Sequence, residues 1–152
     1  MASRPRGGDW LNDELQSWRQ SGIDTVVSLL TKPEEQDLDL AEERRLALAN
    51  GMEFLSFPIE DRQVPTSASE LSATLDDIGR DLRAGRNVVL HCRQGIGRTG
   101  LVAACLLVRD GIDPESAIAQ LTKSRGLQIP ETLAQRHWIE TFAHTLSATH
   151  HG

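Results

Sequence analysis

The stretch from residue 87 to residue 109 restricts the fold most. Asn87-Val88-Val89-Leu90-His91 gives way, across a short loop, to a segment over 98–109 that is apolar on nearly every side and is stopped by Gly111. A short apolar run bounded by turn residues reads as a buried strand, and a helix with no polar face has to lie inside a core. A strand that feeds directly into a buried helix is half of a βαβ unit, with a right-handed crossover and parallel strands.

The same alternation recurs upstream. Leu11, Leu15 and Trp18 are at helical spacing before Gly22, and Thr25-Val26-Val27-Ser28-Leu29-Leu30 follows as a buried strand. Residues 40–50 are rich in Ala, Leu, Glu and Arg and end at Gly51, after which Glu53-Phe54-Leu55-Ser56-Phe57 alternates like a strand. Ser67-x-x-Glu70 is a capping box opening a helix whose Leu71, Leu75, Ile78 and Leu82 form one face, and Gly85 closes it. Asp113-Pro114-Glu115 and Ile129-Pro130-Glu131 each put proline at an expected first helical position, so two more helices should finish the chain, the last anchored by Trp138, Ile139, Phe142 and Leu146. The expected architecture is α/β with three layers: a central, mostly parallel sheet of four to five strands flanked by helices. Ligands belong at the carboxyl ends of the strands.

A chain of 152 residues suits one domain, read here as 1–152 with a flexible arm at 1–8 and a frayed tail at 147–152. Sixteen basic residues against 22 acidic ones give a formal net charge of -6, which argues against a surface that tracks nucleic acid, so any anion is bound locally. No apolar run reaches membrane-spanning length, and the first ten residues lack the apolar stretch of a secretory signal. A cytoplasmic monomer is the expectation. The two cysteines, Cys92 and Cys105, are too few for a disulfide framework and fit a reducing compartment. Cys105 reads as packing within its helix. His137, His144, His150 and His151 have no metal-ligand spacing, so no metal or other cofactor is expected.

The loop between strand and helix reads His91-Cys92-Arg93-Gln94-Gly95-Ile96-Gly97-Arg98-Thr99-Gly100. Gly95 and Gly97 let the backbone of 93–97 curl so that successive N–H groups point inward, an anion nest reinforced by the N-terminus of the following helix. Inward donors, the helix end and a nearby guanidinium all favour a thiolate at Cys92. Arg98 is placed to bind two phosphoryl oxygens through its planar fork, which lysine cannot reproduce, and to follow the charge of a transition state. Thr99 offers a hydroxyl to the sulfur when it leaves. His91 is expected to hold the loop by hydrogen bonds.

Cys-x5-Arg-Thr preceded by His and followed by Gly resembles the signature of the protein tyrosine and dual-specificity phosphatase superfamily. The resemblance is specific over 57–100, weaker elsewhere, and suits the compact members. It implies a cysteinyl-phosphate intermediate at Cys92, no metal, a phosphorylated protein substrate, and a general acid on a separate loop upstream. Phe57-Pro58-Ile59-Glu60-Asp61-Arg62-Gln63-Val64-Pro65 follows the second strand, and Asp61, 31 positions before Cys92 (92 minus 61), is the expected acid, with Glu60 in reserve. Gln135, in a segment similar to the closing helix of such relatives, is a candidate for positioning water. Relatives commonly carry a strand before the first helix; here only Arg4-Pro5-Arg6-Gly7-Gly8 precedes it.

Other readings fit less of the string. A phospho-ligand binding module would need a broken acid loop, and Asp61 is present. Rhodanese-like and arsenate-reducing proteins also set Cys before an anion loop, but His91 and Thr99-Gly100 disfavour them. A phosphatase of a non-protein phosphoester stays open, although positions 93, 94 and 96 hold no lysine of the kind that suggests phosphoinositides. Arg4 and Arg6 read as solvated charges, and Glu34 and Glu35 as helix-capping charges rather than partners of Arg98.

Overall fold

The computed structural model describes residues 4–93, 97–126, 129–130 and 132–150, without the side chains of 147–150. Three parallel strands, β1 (Thr25–Ser28), β2 (Glu53–Ser56) and β3 (Val88–His91), form a sheet in the order β2-β1-β3. In register, Val26 faces Phe54 and Val89 across the ladders, and Val27 faces Leu55 and Leu90. Successive strand side chains point to opposite faces. Val26, Phe54 and Val89 therefore enter one core with Leu11 and Leu15 of α1 (Leu11–Gln20) and Ala47 of α3 (Glu43–Ala49). Val27 and Leu90 enter the other, with Leu71, Leu75 and Ile78 of α4 (Ala68–Arg83) and with α5 (Gly97–Arg109), α6 (Pro114–Arg125) and α7 (Leu133–His150). These are the three layers expected.

The expected sheet of four to five strands is corrected to three among the described residues. Proline cannot donate to a ladder, and the segment after β2, bounded by Pro58 and Pro65, turns away as a loop. At the other end of the chain, Gly8 donates to Asp39 O at 3.0 Å, and a Cβ on Gly7 would lie 2.1 Å from Leu38 O, so this arm packs on a loop rather than pairing as a strand.

Helix α5 is buried as its composition required: Leu101, Val102, Ala104 and Cys105 have no exposed surface. Burial pushes the Cys105 thiol well up, consistent with inert packing. Leu82 departs from its expected face and is exposed. Asp113 caps α6 through Ser116 N at 3.0 Å, with Pro114 in the first turn as read. Pro130 does not start α7. It follows a cis bond, and the helix opens at Leu133, where Thr132 and Gln135 bond each other's backbone N–H groups in a reciprocal capping box. Helix α2 (Lys32–Asp37), to which the sequence reading gave capping charges at Glu34 and Glu35 but no bounds, opens on the same box, made by Thr31 and Glu34.

Candidate active site

All three strands end on one side of the sheet, and the loops leaving those ends bring together groups far apart in sequence. Cys92 follows β3 directly and is 3% exposed. One turn into α5, Thr99 Oγ1 donates to Cys92 Sγ at 3.0 Å. The hydroxyl is buried and points at the sulfur, because Gly97 to Gly100 wind the first turn of α5 back over the strand end.

Arg98 is the largest wholly buried side chain and is held from several sides. Its Nη1 donates to Glu34 Oε1 at 2.6 Å and to Ile59 O at 2.8 Å, and its Nη2 donates to Glu34 Oε2 at 2.9 Å. Burial alone would pull the guanidinium's pKa down, but the hydrogen bonds and charge of Glu34, with the charges of Cys92 and Asp61, carry it above its ordinary value. Burial likewise pushes the Glu34 carboxyl up, and the bonds from Arg98 and from Thr31 N outweigh it, holding that carboxyl below the usual range. The cation is thus fixed in charge and direction before any anion arrives.

Asp61 is the carboxylate that reaches this centre from the loop after β2. Its Oδ1 is 3.4 Å from Arg98 Nη2, and its side chain is 58% exposed. Ile59 anchors the loop by donating to Leu29 O at 3.1 Å, and Gln63 N closes a turn on Glu60 O at 2.9 Å. Arg62, within that turn, has a φ of 63°, the left-handed region that turns of this kind demand. Glu60, the reserve acid, is exposed on the same turn. Gln135 is wholly buried, and its Nε2 donates to Gln63 O at 3.1 Å, tying α7 to the Asp61 turn. Arg93 is exposed and Gly97 buried, while the phosphate-binding candidates Gln94, Gly95 and Ile96 lie outside the described residues. Among the described residues no group of His, Cys, Asp and Glu could hold a metal, and no helix is long and apolar enough to cross a membrane.

Residues 1–112 match the family described as Tc-R-P: Polymorphic toxin system, DSP-PTPase phosphatase. The chain belongs to the dual-specificity phosphatase superfamily. It is 29% identical over 140 residues to Cyclin-dependent kinase inhibitor 3 of Rattus norvegicus, covering 91% of this chain and 66% of that protein. The chain spans between 40% and 66% of the length of the curated relatives it matches. A crystal structure of kinase associated phosphatase, with its catalytic-site cysteine substituted by serine, superposes at a TM-score of 0.86 with 26% identity, covering 97% of this chain and 86% of that one. The structure of Tk-PTP in the active form superposes at 0.80 with 26% identity, covering 94% and 89%.

Two residues in and around this candidate site were misread or missed in the sequence. Glu34 does cap α2, yet the same carboxylate binds Arg98; Thr31-x-x-Glu34 with Pro33 was a legible helix start, whereas the partner 64 residues away was not. Glu43, the first residue of α3, is 1% exposed and its Oε2 lies 2.6 Å from His91 Nε2. Nothing in its local sequence sets it apart from the neighbouring acids of a solvated helix.

Proposed function

We propose that this chain hydrolyses phosphate monoesters through a cysteinyl-phosphate at Cys92. The observation that carries the reading is the convergence of a buried sulfur, a hydroxyl 3.0 Å from it, and a buried guanidinium with a carboxylate 3.4 Å away. In the first step Cys92 Sγ attacks phosphorus, the P–O bond to the leaving group breaks, and Asp61 gives that oxygen its proton. Arg98 binds the equatorial oxygens and gains strength as charge shifts onto them. In the second step the Asp61 carboxylate takes a proton from water, the water oxygen attacks phosphorus, and the S–P bond breaks while Thr99 Oγ1 hydrogen-bonds the departing sulfur. His91 and Gln135 act by position, the first from behind Cys92 and the second by holding the Asp61 turn where it orders the attacking water. The nest of 93–97 completes the phosphate site in this reading.

Phosphotyrosine in proteins ranks first as substrate, with phosphoserine and phosphothreonine next; support comes from the similarity to a putative tyrosine phosphatase of Invertebrate iridescent virus 6 and from a loop without lysine at 93, 94 and 96. The reading places a single-domain monomer in a reducing cytoplasm, where Cys92 and Cys105 both stay reduced. The test is a panel of phosphotyrosine, phosphoserine and phosphothreonine peptides and phosphoinositide vesicles, assayed in chelator with wild type and Cys92→Ser. Phosphotyrosine turnover that vanishes in the variant is expected. Turnover surviving in Cys92→Ser would overturn the nucleophile, and vesicle hydrolysis exceeding peptide hydrolysis would overturn the substrate class.

A further inference from the structure

Thr31 caps α2, and Glu34, in its first turn, closes the capping box from the other side. Glu34 N donates to Thr31 Oγ1 at 3.4 Å, while Thr31 N and Thr31 Oγ1 donate to Glu34 Oε1 at 3.1 and 3.2 Å. In most helices that exchange only satisfies backbone groups of the first turn. Here the carboxylate reaches further. Its Oε1 and Oε2 also accept from Arg98 Nη1 and Nη2, at 2.6 and 2.9 Å. The Arg98 side chain is 2% exposed and that of Glu34 12%, so the pair is shielded from the water that weakens surface ion pairs. The box is rooted in the core as well: Leu29 and Leu30, which lead from β1 to Thr31, have no exposed surface, and Leu29 O accepts from Ile59 N at 3.1 Å.

Bidentate pairing sets a direction as well as a charge. A guanidinium has five N–H groups. Glu34 takes one from each Nη, and Ile59 O, at 2.8 Å, takes the second of Nη1. The hydrogens beyond these are on Nε and Nη2, along the side of the fork, where Asp61 Oδ1 stands 3.4 Å from Nη2. A guanidinium gripped at its end cannot rotate without breaking charge-assisted hydrogen bonds, so its side is the edge a phosphoryl group meets. Removing the carboxylate would leave a buried cation unpaired at that end and able to turn toward Asp61 instead.

We propose that the Thr31–Glu34 capping box is a positioning unit for catalysis: by fixing the Glu34 carboxylate, it holds the Arg98 guanidinium with its Nε–Nη2 side toward the transferring phosphoryl group. The proposal rests on the phosphatase reading. It gives the start of α2 a part in the rate, although neither residue of the box serves as nucleophile, acid or phosphate ligand.

Nitrogen NMR of the wild-type protein, with no oxyanion present, should resolve separate Nη1 and Nη2 signals for Arg98, the mark of a guanidinium that does not rotate. One merged Nη signal would overturn the proposal, and this measurement needs no variant to fold. In folded Glu34→Ala, kcat for p-nitrophenyl phosphate should fall by about 10^2-fold with KM within about threefold of wild type, the pattern of an interaction that counts mainly in the transition state. Thr31→Val should lower kcat by about fivefold, the size of one lost hydrogen bond, and Thr31→Ser, whose hydroxyl makes the same box, should keep the wild-type rate. Because the box acts through Arg98, adding Glu34→Ala to Arg98→Lys should lower kcat by less than about threefold further. A loss that multiplies in full on that background, or full kcat in folded Glu34→Ala or Thr31→Val, would contradict the assignment. Absent wild-type turnover would instead strike at the phosphatase reading, and the Arg98 signals would still be read.

Discussion

The two sides of the site are built differently. Cys92, Arg98 and Thr99 are at most 3% exposed, whereas Asp61 is on an exposed turn held by Ile59, by the Glu60–Gln63 closure and by one bond from Gln135. The buried side has its charges aimed before substrate arrives, so it loses little to reorganisation. The exposed side delivers and takes up a proton, for which contact with water and room to move serve better than rigidity. The contrast predicts that damage to the buried side is large whatever the substrate, while damage to the turn depends on the leaving group.

Arg98→Lys should lower kcat by about 10^3-fold on aryl and alkyl phosphates alike, because the ammonium reproduces the charge but not the fork. A loss under about tenfold would mean that charge, not geometry, is what the buried side supplies. Asp61→Asn should lower kcat by about 10^2-fold on phosphotyrosine peptides with KM nearly unchanged, as expected for losing a general acid. If aryl phosphates with excellent leaving groups lost as much in their first step, the acid would lie elsewhere. Gly100→Ala tests the packing beneath the site: a Cβ there would meet Ile129 Cγ2 at 2.3 Å, and thermal unfolding should show a loss of about 1–3 kcal/mol. Glu34→Gln is the mildest probe. Because folding holds the Glu34 carboxyl below its ordinary range, its stabilisation is present above that range and is lost as pH falls through the folded value. Urea titrations of Glu34→Gln should therefore show lower stability at neutral pH and a flatter decline on the acid side than wild type.

Sequence was most informative where chemistry is local. Cys92, Arg98 and Thr99 are within one loop and one helical turn, so their meeting follows from a strand joined to a buried helix, and the alternating apolar runs placed that unit correctly. Asp61 was sought because the family resemblance implies an acid on an upstream loop, and parallel strands, whose carboxyl ends lie together, put the loop after β2 beside the loop after β3. Glu34 and Glu43 were not. Each looks like an ordinary acid in the first turn of a short helix, and each meets its partner only through the tertiary fold, 64 and 48 residues away in sequence. The strand count was overstated because no fourth apolar run exists to read, and the start of α7 was misplaced because Pro130 drew more weight than the capping pair Thr132 and Gln135.

The central claim is that phosphorus bonds to the sulfur of Cys92 and that Asp61 then serves its release. In Asp61→Asn, p-nitrophenyl phosphate can still form the adduct, since its leaving group needs little acid help, but water attack lacks a base. Acid-quenched protein taken during turnover and analysed by peptide mass spectrometry should carry one phosphoryl group on the peptide containing Cys92, more in Asp61→Asn than in wild type. Phosphate found on another residue, or turnover by both proteins with Cys92 unmodified at every time point, would contradict the account.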